Sequence, residues 1–133
     1  MLAVDGFPFV HRESVRFRDL DGFGHVNNAV YLTYMEEARN AFLAHLGLAR
    51  SIEEITMILA RAEVDFRAEA TVGETVEIGV RPSRFGTKSF DLEYELRAGG
   101  RLVAEAKTVL VAYDYGSGAS IEIPDEWRRS MAA

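Results

Sequence analysis

The 133-residue sequence contains no cysteine, and this absence removes several kinds of chemistry at once. Without cysteine there is no disulfide framework, no thiol nucleophile and no thiolate ligand for a metal. The three histidines, His11, His25 and His45, stand singly and lack the paired spacing of zinc sites. We therefore predict that the protein holds no metal, and a cysteine-free chain fits a cytoplasmic location.

Long apolar runs and an excess of positive charge are also missing. The apolar run of the last predicted strand, residues 109–113, is far too short to cross a bilayer. The first six residues lack the basic start and long apolar stretch of a signal peptide. The formal net charge is −6, and an acidic chain repels phosphate backbones. We expect a soluble protein that binds neither membranes nor nucleic acid.

Several catalytic and cofactor motifs are absent as well. The sequence has no Gly-x-Ser-x-Gly turn of a serine hydrolase and no Gly-x-Gly-x-x-Gly that follows a strand. Residues 86–89, Gly-Thr-Lys-Ser, lack the Gly-Lys pair and the upstream glycine spacing of a phosphate-binding loop. No cofactor is predicted.

The hydrophobic pattern that is present predicts one α+β domain over residues 1–133. A first strand is predicted for residues 9–18, where apolar and polar side chains alternate, followed by a loop over 19–27. Apolar residues then recur at helical spacing, which predicts a long helix over about 28–46. Asn27 or Asn28 is suited to cap its start.

The second half of the chain changes to an alternation of period two. Four further strands are predicted, with Gly99-Gly100 as a tight hairpin between the last two, and residues 124–127 begin a short C-terminal helix. Strands with one polar face are typical of antiparallel sheets. The simplest packing is a five-stranded antiparallel sheet wrapped around the long helix.

The segment 19–31 concentrates two carboxylates, an imidazole and two amides at a strand-to-helix turn. The first turn of a helix has unpaired backbone N–H groups and positive dipole character, which stabilise negative charge developing on a carbonyl oxygen. A carboxylate beside that point can attack the carbonyl or activate water. Asp21 is the candidate, whereas Asp19 is expected to be structural. A lone Asp in such a loop also has a purely structural explanation, because it can cap a turn.

The run Asp-Gly-Phe-Gly-His-Val-Asn-Asn at 21–28, with Tyr31 and Tyr-Met-Glu-Glu-Ala-Arg at 34–39, resembles the 4-hydroxybenzoyl-CoA thioesterase branch of the hot-dog superfamily. YbgC-type acyl-CoA thioesterases share this pattern. The resemblance implies the hot-dog fold and an active site between two chains. It also implies roles for single positions: Asp21 as nucleophile or general base, the backbone N–H of Asn28 as the carbonyl donor, and His25 as an auxiliary group. Glu37 is a backup acid.

Four further residues are candidate substrate contacts. Tyr31 fits the apolar helix stripe and also borders the expected acyl pocket. Arg84, Lys88 and Ser89 cluster at one hairpin and are candidates for holding the phosphates of coenzyme A, since Arg and Lys pair well with phosphate. For each of the three taken singly, a solvated strand end is the slightly favoured explanation.

The leading functional hypothesis is a thioesterase that hydrolyses an acyl-CoA or an acyl-carrier thioester. The alternatives are a non-catalytic protein that binds acyl thioesters on the same fold and, more weakly, a hydratase of the same fold. A homodimer or homotetramer is expected, because a single open sheet leaves edges to protect.

Overall fold

The computed structural model of the protein describes residue 4, residues 6–49 and residues 56–132. Within them, five strands form one antiparallel sheet around a long helix, as predicted, and a two-residue strand is added to it. In chain order the elements are β1 (Phe9–Ser14), a 3-10 turn (Phe17–Asp19), α1 (Asn28–His45), β2 (Met57–Phe66), β3 (Thr75–Phe85), β4 (Ser89–Ala98), β5 (Arg101–Asp114), β6 (Ala119–Ser120) and α2 (Asp125–Ala132).

The strand order in the sheet is β1-β3-β4-β5-β2, and β6 pairs with the end of β5. The hairpin between β4 and β5 turns at Gly99 and Gly100, which have φ values of 57° and 80°. Residues with a Cβ rarely adopt such φ values, so the two glycines make this tight reversal possible.

In the strand order β1-β3-β4-β5-β2, the two edges of the sheet are β1 and β2. They differ in character, because β1 is short and carries the polar run His11–Glu13.

The long helix α1 packs on β1 and β3 and buries one stripe of side chains against them. This stripe includes Tyr31, Tyr34, Met35, Ala38 and Phe42, as the spacing predicted. Arg39 is also buried, although it is charged. The helix covers the β1–β3 side of the sheet and leaves the inner face of β2 largely open, so most of β2 is exposed.

The first strand is shorter than predicted. It ends at Ser14, and Phe17 lies in the 3-10 turn with 83% of its surface exposed. The carboxylate of Asp19 accepts hydrogen bonds from the backbone N–H of Arg16 at 3.0 Å and from its guanidinium at 3.3 Å. These local side-chain bonds offer the backbone an alternative to the sheet ladder and end the strand early.

The predicted alternation along β2 is also interrupted. The pairing register with β5 shifts between Leu59 and Arg61, which makes Ala60 the extra residue of a bulge. Before the bulge, Leu59 instead of Ile58 lies on the helix side of the sheet, together with Ala62, Val64 and Phe66 after it. Both apolar side chains before the bulge remain partly exposed, 38% for Ile58 and 49% for Leu59.

Candidate functional site

The segment between the 3-10 turn and α1 folds into a small closed loop. Leu20 and Val26 form an isolated antiparallel bridge, and the backbone N–H of Asp21 donates to the carbonyl of His25 at 2.7 Å. Gly24 at the tip has a φ of 84°, which only glycine adopts without strain. The loop thus has a defined shape that holds Asp21 and His25 at its base.

The carboxylate of Asp21 is partly exposed and closes an Asx turn. Its Oδ1 accepts hydrogen bonds from the backbone N–H of Phe23 at 2.8 Å and of His25 at 3.3 Å. The turn-capping role is therefore present. Among the described residues, Oδ2 accepts no hydrogen bond, so one carboxylate oxygen is fixed and the other is available for chemistry.

The start of α1 lies directly beside this carboxylate. Asn27 is the N-cap, and its Oδ1 accepts a hydrogen bond from the N–H of Ala29 at 2.9 Å. Asn28 is the first helical residue, and within residues 6–49 and 56–132 its backbone N–H has no acceptor. An unpaired N–H at a helix start is a donor for an incoming oxygen.

Asp21, His25, Asn28 and Tyr31 line one cleft of about 290 Å³. The structure therefore brings together all three residues predicted as catalytic and the predicted acyl contact. The opposite wall comes from the end of β2 and the turn after it: Phe66, Arg67, Ala68 and Glu69. The ring of Tyr31 packs on that of Phe66, with centroids 5.7 Å apart. Burial raises the pKa of the Tyr31 hydroxyl, so this group stays neutral at physiological pH.

Glu69 is a residue of the cleft that the sequence analysis did not identify. Its Oε2 lies 3.2 Å from Nε2 of His25. A second cavity of about 660 Å³ adjoins the cleft at these two side chains. The turn Ala68–Ala70 thus supplies a wall of the site. Glu69 lies far from the loop along the chain, so no local pattern indicated it.

The turn that bears Glu69 is fixed to the Asp21 loop by backbone contacts. The N–H of Val26 donates to the carbonyl of Ala70 at 2.8 Å, and the hydroxyl of Thr71 donates to the carbonyl of Gly24 at 2.8 Å. Arg101 donates to the carbonyl of Glu69 at 2.8 Å from the neighbouring hairpin. The cleft is thus bounded by two segments that hold each other in place.

Asp19 forms a buried polar network below the cleft, which agrees with its predicted structural role. The hydroxyl of Tyr34 donates to Oδ2 of Asp19 at 2.7 Å, in addition to the bonds from Arg16. Burial raises the pKa of Asp19, but the hydrogen bonds from Tyr34 and Arg16 outweigh it and hold this pKa below its usual value. Burial and the bond to Asp19 raise the pKa of Tyr34, so the pair consists of a carboxylate and a neutral phenol.

The predicted phosphate contacts lie elsewhere in the chain. Arg84, Lys88 and Ser89 surround the β3–β4 hairpin, at the end of β3 opposite to Thr75. At about 3.3 Å per residue, the 11 residues of β3 separate these ends by roughly 30 Å. Arg84 donates to Ser89 and to the buried Asp91, both at 2.9 Å, whereas Lys88 has one weak contact, to Ser120 at 3.5 Å.

Three further features would bear on the function: the backup acid Glu37, a metal site and a membrane-spanning helix. Glu37 is exposed on α1 and does not line the cleft. Within the described part of the chain, no three His, Cys, Asp or Glu side chains cluster as metal ligands. No helix in that part is sufficiently long and apolar to span a bilayer.

Comparison with known proteins connects this geometry to a family. The model of the thioesterase-like superfamily matches residues 15–131. The chain is 31% identical over 126 residues to the 1,4-dihydroxy-2-naphthoyl-CoA hydrolase of Nostoc punctiforme, covering 89% of this chain and 82% of that one. It is 28% identical over 129 residues to the uncharacterized protein YsmA of Bacillus subtilis, covering 94% and 86%.

Among solved structures, the chain resembles a thioesterase of Thermus thermophilus that was crystallised with coenzyme A and zinc. The TM-score is 0.88 and the sequence identity 37%, over 96% of this chain and 94% of that one. The predicted fold and the predicted class of enzyme, a thioester hydrolase, are both confirmed. On its fold, its cleft and the match over 15–131, the chain belongs to the thioesterase-like superfamily.

Proposed function

We propose that the protein hydrolyses acyl-CoA thioesters in the cleft between Asp21 and the start of α1. The main supporting observation is a cleft of about 290 Å³ that is lined by both Asp21 and Asn28. Oδ2 of Asp21 and the backbone N–H of Asn28 make no hydrogen bond within the described residues. The N–H polarises the thioester carbonyl, and Oδ2 of Asp21 activates water or attacks the carbonyl carbon. A thiolate leaves readily, so strong acid assistance is not required.

His25 has an auxiliary role in this proposal. Its side chain lines both cavities and contacts Glu69. The contact with Glu69 restricts the orientation of the imidazole and favours a proton on Nε2. Because both side chains are partly exposed, the pair contributes little to stability, and we expect its effect to be on turnover.

The function is tested by incubating the purified protein with a panel of aliphatic and aromatic acyl-CoA substrates. Release of free thiol, followed by a chromogenic thiol reagent, is the expected result. Saturable binding of acyl-CoA without thiol release would favour the alternative, a non-catalytic binding protein. Acyl-carrier thioesters of the same acyl groups, tested in parallel, decide between coenzyme A and carrier protein. The cytoplasmic location remains a prediction, which cell fractionation tests.

We further propose that two chains pair through β2. This strand is an edge of the sheet with its inner face uncovered, and it exposes Ile58, Leu59 and Phe66. An exposed apolar edge strand is a ready template for pairing with another strand. Antiparallel pairing of two β2 strands about a two-fold axis would extend the sheet and cover these side chains.

This pairing would also explain the distant phosphate candidates. Met57 begins β2 at the Ala112 end of β5, close to Ser89, which pairs with Val111. In a two-fold antiparallel pair, that end of the partner's β2 lies next to Phe66 and the Asp21 cleft of the first chain. The β3–β4 hairpin of the partner would then lie about 15 Å to the side, three strand spacings away. A coenzyme A molecule would then extend from the Asp21 cleft of one chain to the β3–β4 hairpin of its partner.

The dimer is tested by Leu59→Glu, which introduces a charge on the uncovered face of β2. We expect light scattering to give the mass of two chains for the wild type and of one chain for the variant, with a loss of thioesterase activity. Val72→Glu is the matched control, because Val72 is 50% exposed in the turn between β2 and β3 and belongs to neither strand. A wild-type mass of one chain at micromolar concentration would contradict the proposal.

The hairpin contact is tested by Lys88→Ala. We expect KM for acyl-CoA to rise about fivefold to tenfold with little change in kcat, since an exposed ion pair with phosphate contributes about 1 kcal/mol. The same acyl group on N-acetylcysteamine, which lacks the phosphates, should show no change. Lys107→Ala removes the other lysine of the sequence and serves as control. Equal effects on both substrates would argue against phosphate binding by Lys88.

A further inference from the structure

A buried cation lies beneath α1, away from the catalytic cleft. The Arg39 side chain is only 10% exposed. Its Nη1 donates to the hydroxyl of Tyr94 at 3.2 Å, and Tyr94 shares a hydrogen bond with Thr108 at 2.8 Å. The nearest carboxylate among the described residues is that of Glu36, 3.9 Å from Nη2 and on a side chain that is 61% exposed. A buried guanidinium with so weak a counter-charge is costly unless another anion joins it.

This cation borders a cavity of about 190 Å³ that is open at the uncovered side of the sheet. The walls are mostly apolar, whereas the polar groups of the lining are those of α1 and β5: Arg39, Thr108, Glu36 and Thr33. No buried side-chain nitrogen or oxygen in the described residues lacks a hydrogen-bond partner. A guanidinium nitrogen of Arg39 that makes no hydrogen bond must therefore have exposed surface, and Arg39 lines this cavity. A guanidinium has five N–H donors, so some of them can bind a ligand in the cavity.

The cavity and the catalytic cleft follow one another along the same seam between α1 and β2. Tyr31 of α1 and Phe66 of β2 line the cleft. Met35, one turn further along α1, and Ala62, four residues earlier in β2, line the cavity beside Arg39. The eight residues from Tyr31 to Arg39 correspond to about 12 Å of helix. The four residues from Phe66 to Ala62 correspond to about 13 Å of strand.

We propose that this seam receives the acyl chain and that Arg39, with Tyr94 and Thr108, binds a carboxylate at its far end, so that the preferred substrates are thioesters of dicarboxylic acids. This inference rests on the proposed thioesterase function. An extended chain advances about 1.2 Å per single bond, as the three backbone bonds of a residue do over roughly 3.5 Å. The proposed carbonyl donor, the N–H of Asn28, lies three residues before Tyr31, which adds about 4 Å of helix to the 12 Å above. The full path of about 16–17 Å therefore corresponds to about fourteen bonds, the length of a tetradecanedioyl group.

Glu36 is the charged group that opposes this binding, because it also lines the cavity. Its side chain is mostly exposed and makes only a distant contact with Arg39. It can therefore turn to solvent when a carboxylate arrives. Glu36→Gln should raise the preference for dicarboxylic substrates, whereas loss of the Arg39 charge should remove it.

The test compares kcat/KM for tetradecanedioyl-CoA and tetradecanoyl-CoA, with six-carbon and ten-carbon pairs as length controls. We expect a preference of about tenfold for the fourteen-carbon dicarboxylic substrate, the size of effect that a charge-assisted hydrogen bond gives. Arg39→Met should bring the ratio to about one, and Tyr94→Phe and Thr108→Val should lower it by severalfold. Arg12→Met, an exposed arginine on β1, should leave it unchanged.

A second measurement does not depend on turnover. Tetradecanedioic acid should raise the Tm of the wild type more than tetradecanoic acid, the reference, does. This difference should be smaller in Thr108→Val and absent in Arg39→Met, if that variant folds. Cleavage of acyl-CoA without any preference for dicarboxylic substrates, or an unchanged ratio in the variants, would overturn this inference and leave the thioesterase function standing. Absence of all cleavage together with selective binding of the dicarboxylic acid would contradict the function instead.

Discussion

Asp21→Asn is expected to lower kcat by a factor of about 10²–10⁴ while the fold and the affinity for acyl-CoA stay near those of the wild type. The range is that of a positioned general base, and a nucleophilic role gives a loss at least as large. The substitution is nearly neutral for the structure, because an amide Oδ1 accepts the same hydrogen bonds from Phe23 and His25. What is lost is the negative charge of the oxygen that is free in the cleft.

The chain offers a matched control for this experiment. Asp114 closes an Asx turn of the same kind, with its Oδ1 accepting from the N–H of Gly116 at 2.9 Å. Asp114→Asn changes the same atoms in the same local geometry at the end of β5 opposite to the cleft of its own chain, and should leave turnover unchanged. Stopped-flow thiol release for kcat and calorimetry for acyl-CoA binding separate chemistry from affinity. Wild-type turnover in Asp21→Asn would exclude this carboxylate from the reaction.

Asp19→Ala is expected to cause the largest loss of stability, about 2–4 kcal/mol. The substitution removes the acceptor of the buried Tyr34 hydroxyl and of the Arg16 backbone N–H, and a hydrogen bond to a charged group contributes about 1.5–3 kcal/mol. The partly exposed guanidinium of Arg16 contributes less. For a domain of this size the Tm should fall by about 10 °C, as measured by calorimetry. Tyr34→Phe should cost less, because Asp19 keeps its bonds from Arg16.

The same network predicts how stability depends on pH. The pKa of Asp19 is lower in the folded state than in the unfolded chain, where it is about 3.9. Its contribution is therefore complete above the unfolded pKa and is lost as the pH falls toward the folded pKa. Asp19→Asn should show a smaller drop in unfolding free energy between about pH 5 and pH 3 than the wild type, with Asp114→Asn behaving as the wild type. Parallel pH profiles of the wild type and Asp19→Asn would contradict this assignment.

The sequence predicted those parts of the site that are close together along the chain. Asp21, His25, Asn28 and Tyr31 fall within eleven residues at one turn, so helix periodicity and capping suffice to bring them to one place. Glu69 reaches the same cleft from a turn between two strands, and only the pairing of the two loops determines that. No local pattern contains this information.

The errors in the fold have the same origin. Alternation predicted the faces of β2, but a single extra residue at Ala60 exchanges the faces of Ile58 and Leu59. Similarly, Arg39 is charged but buried, and its burial depends on Tyr94 of β4, 55 residues away, as hydrogen-bond partner. Bulges and buried polar pairs arise from tertiary contacts, and those contacts override local propensity.

The unequal edges of the sheet limit the kind of assembly that this chain can form. The proposed pairing through β2 would occupy the only long apolar edge that the described strands present. The other edge of each chain is the short β1, with an imidazole, a guanidinium and a carboxylate in succession at His11–Glu13. Such an edge discourages the addition of further strands, so growth of the sheet would end after two copies, and a closed particle would be favoured over an endless fibre.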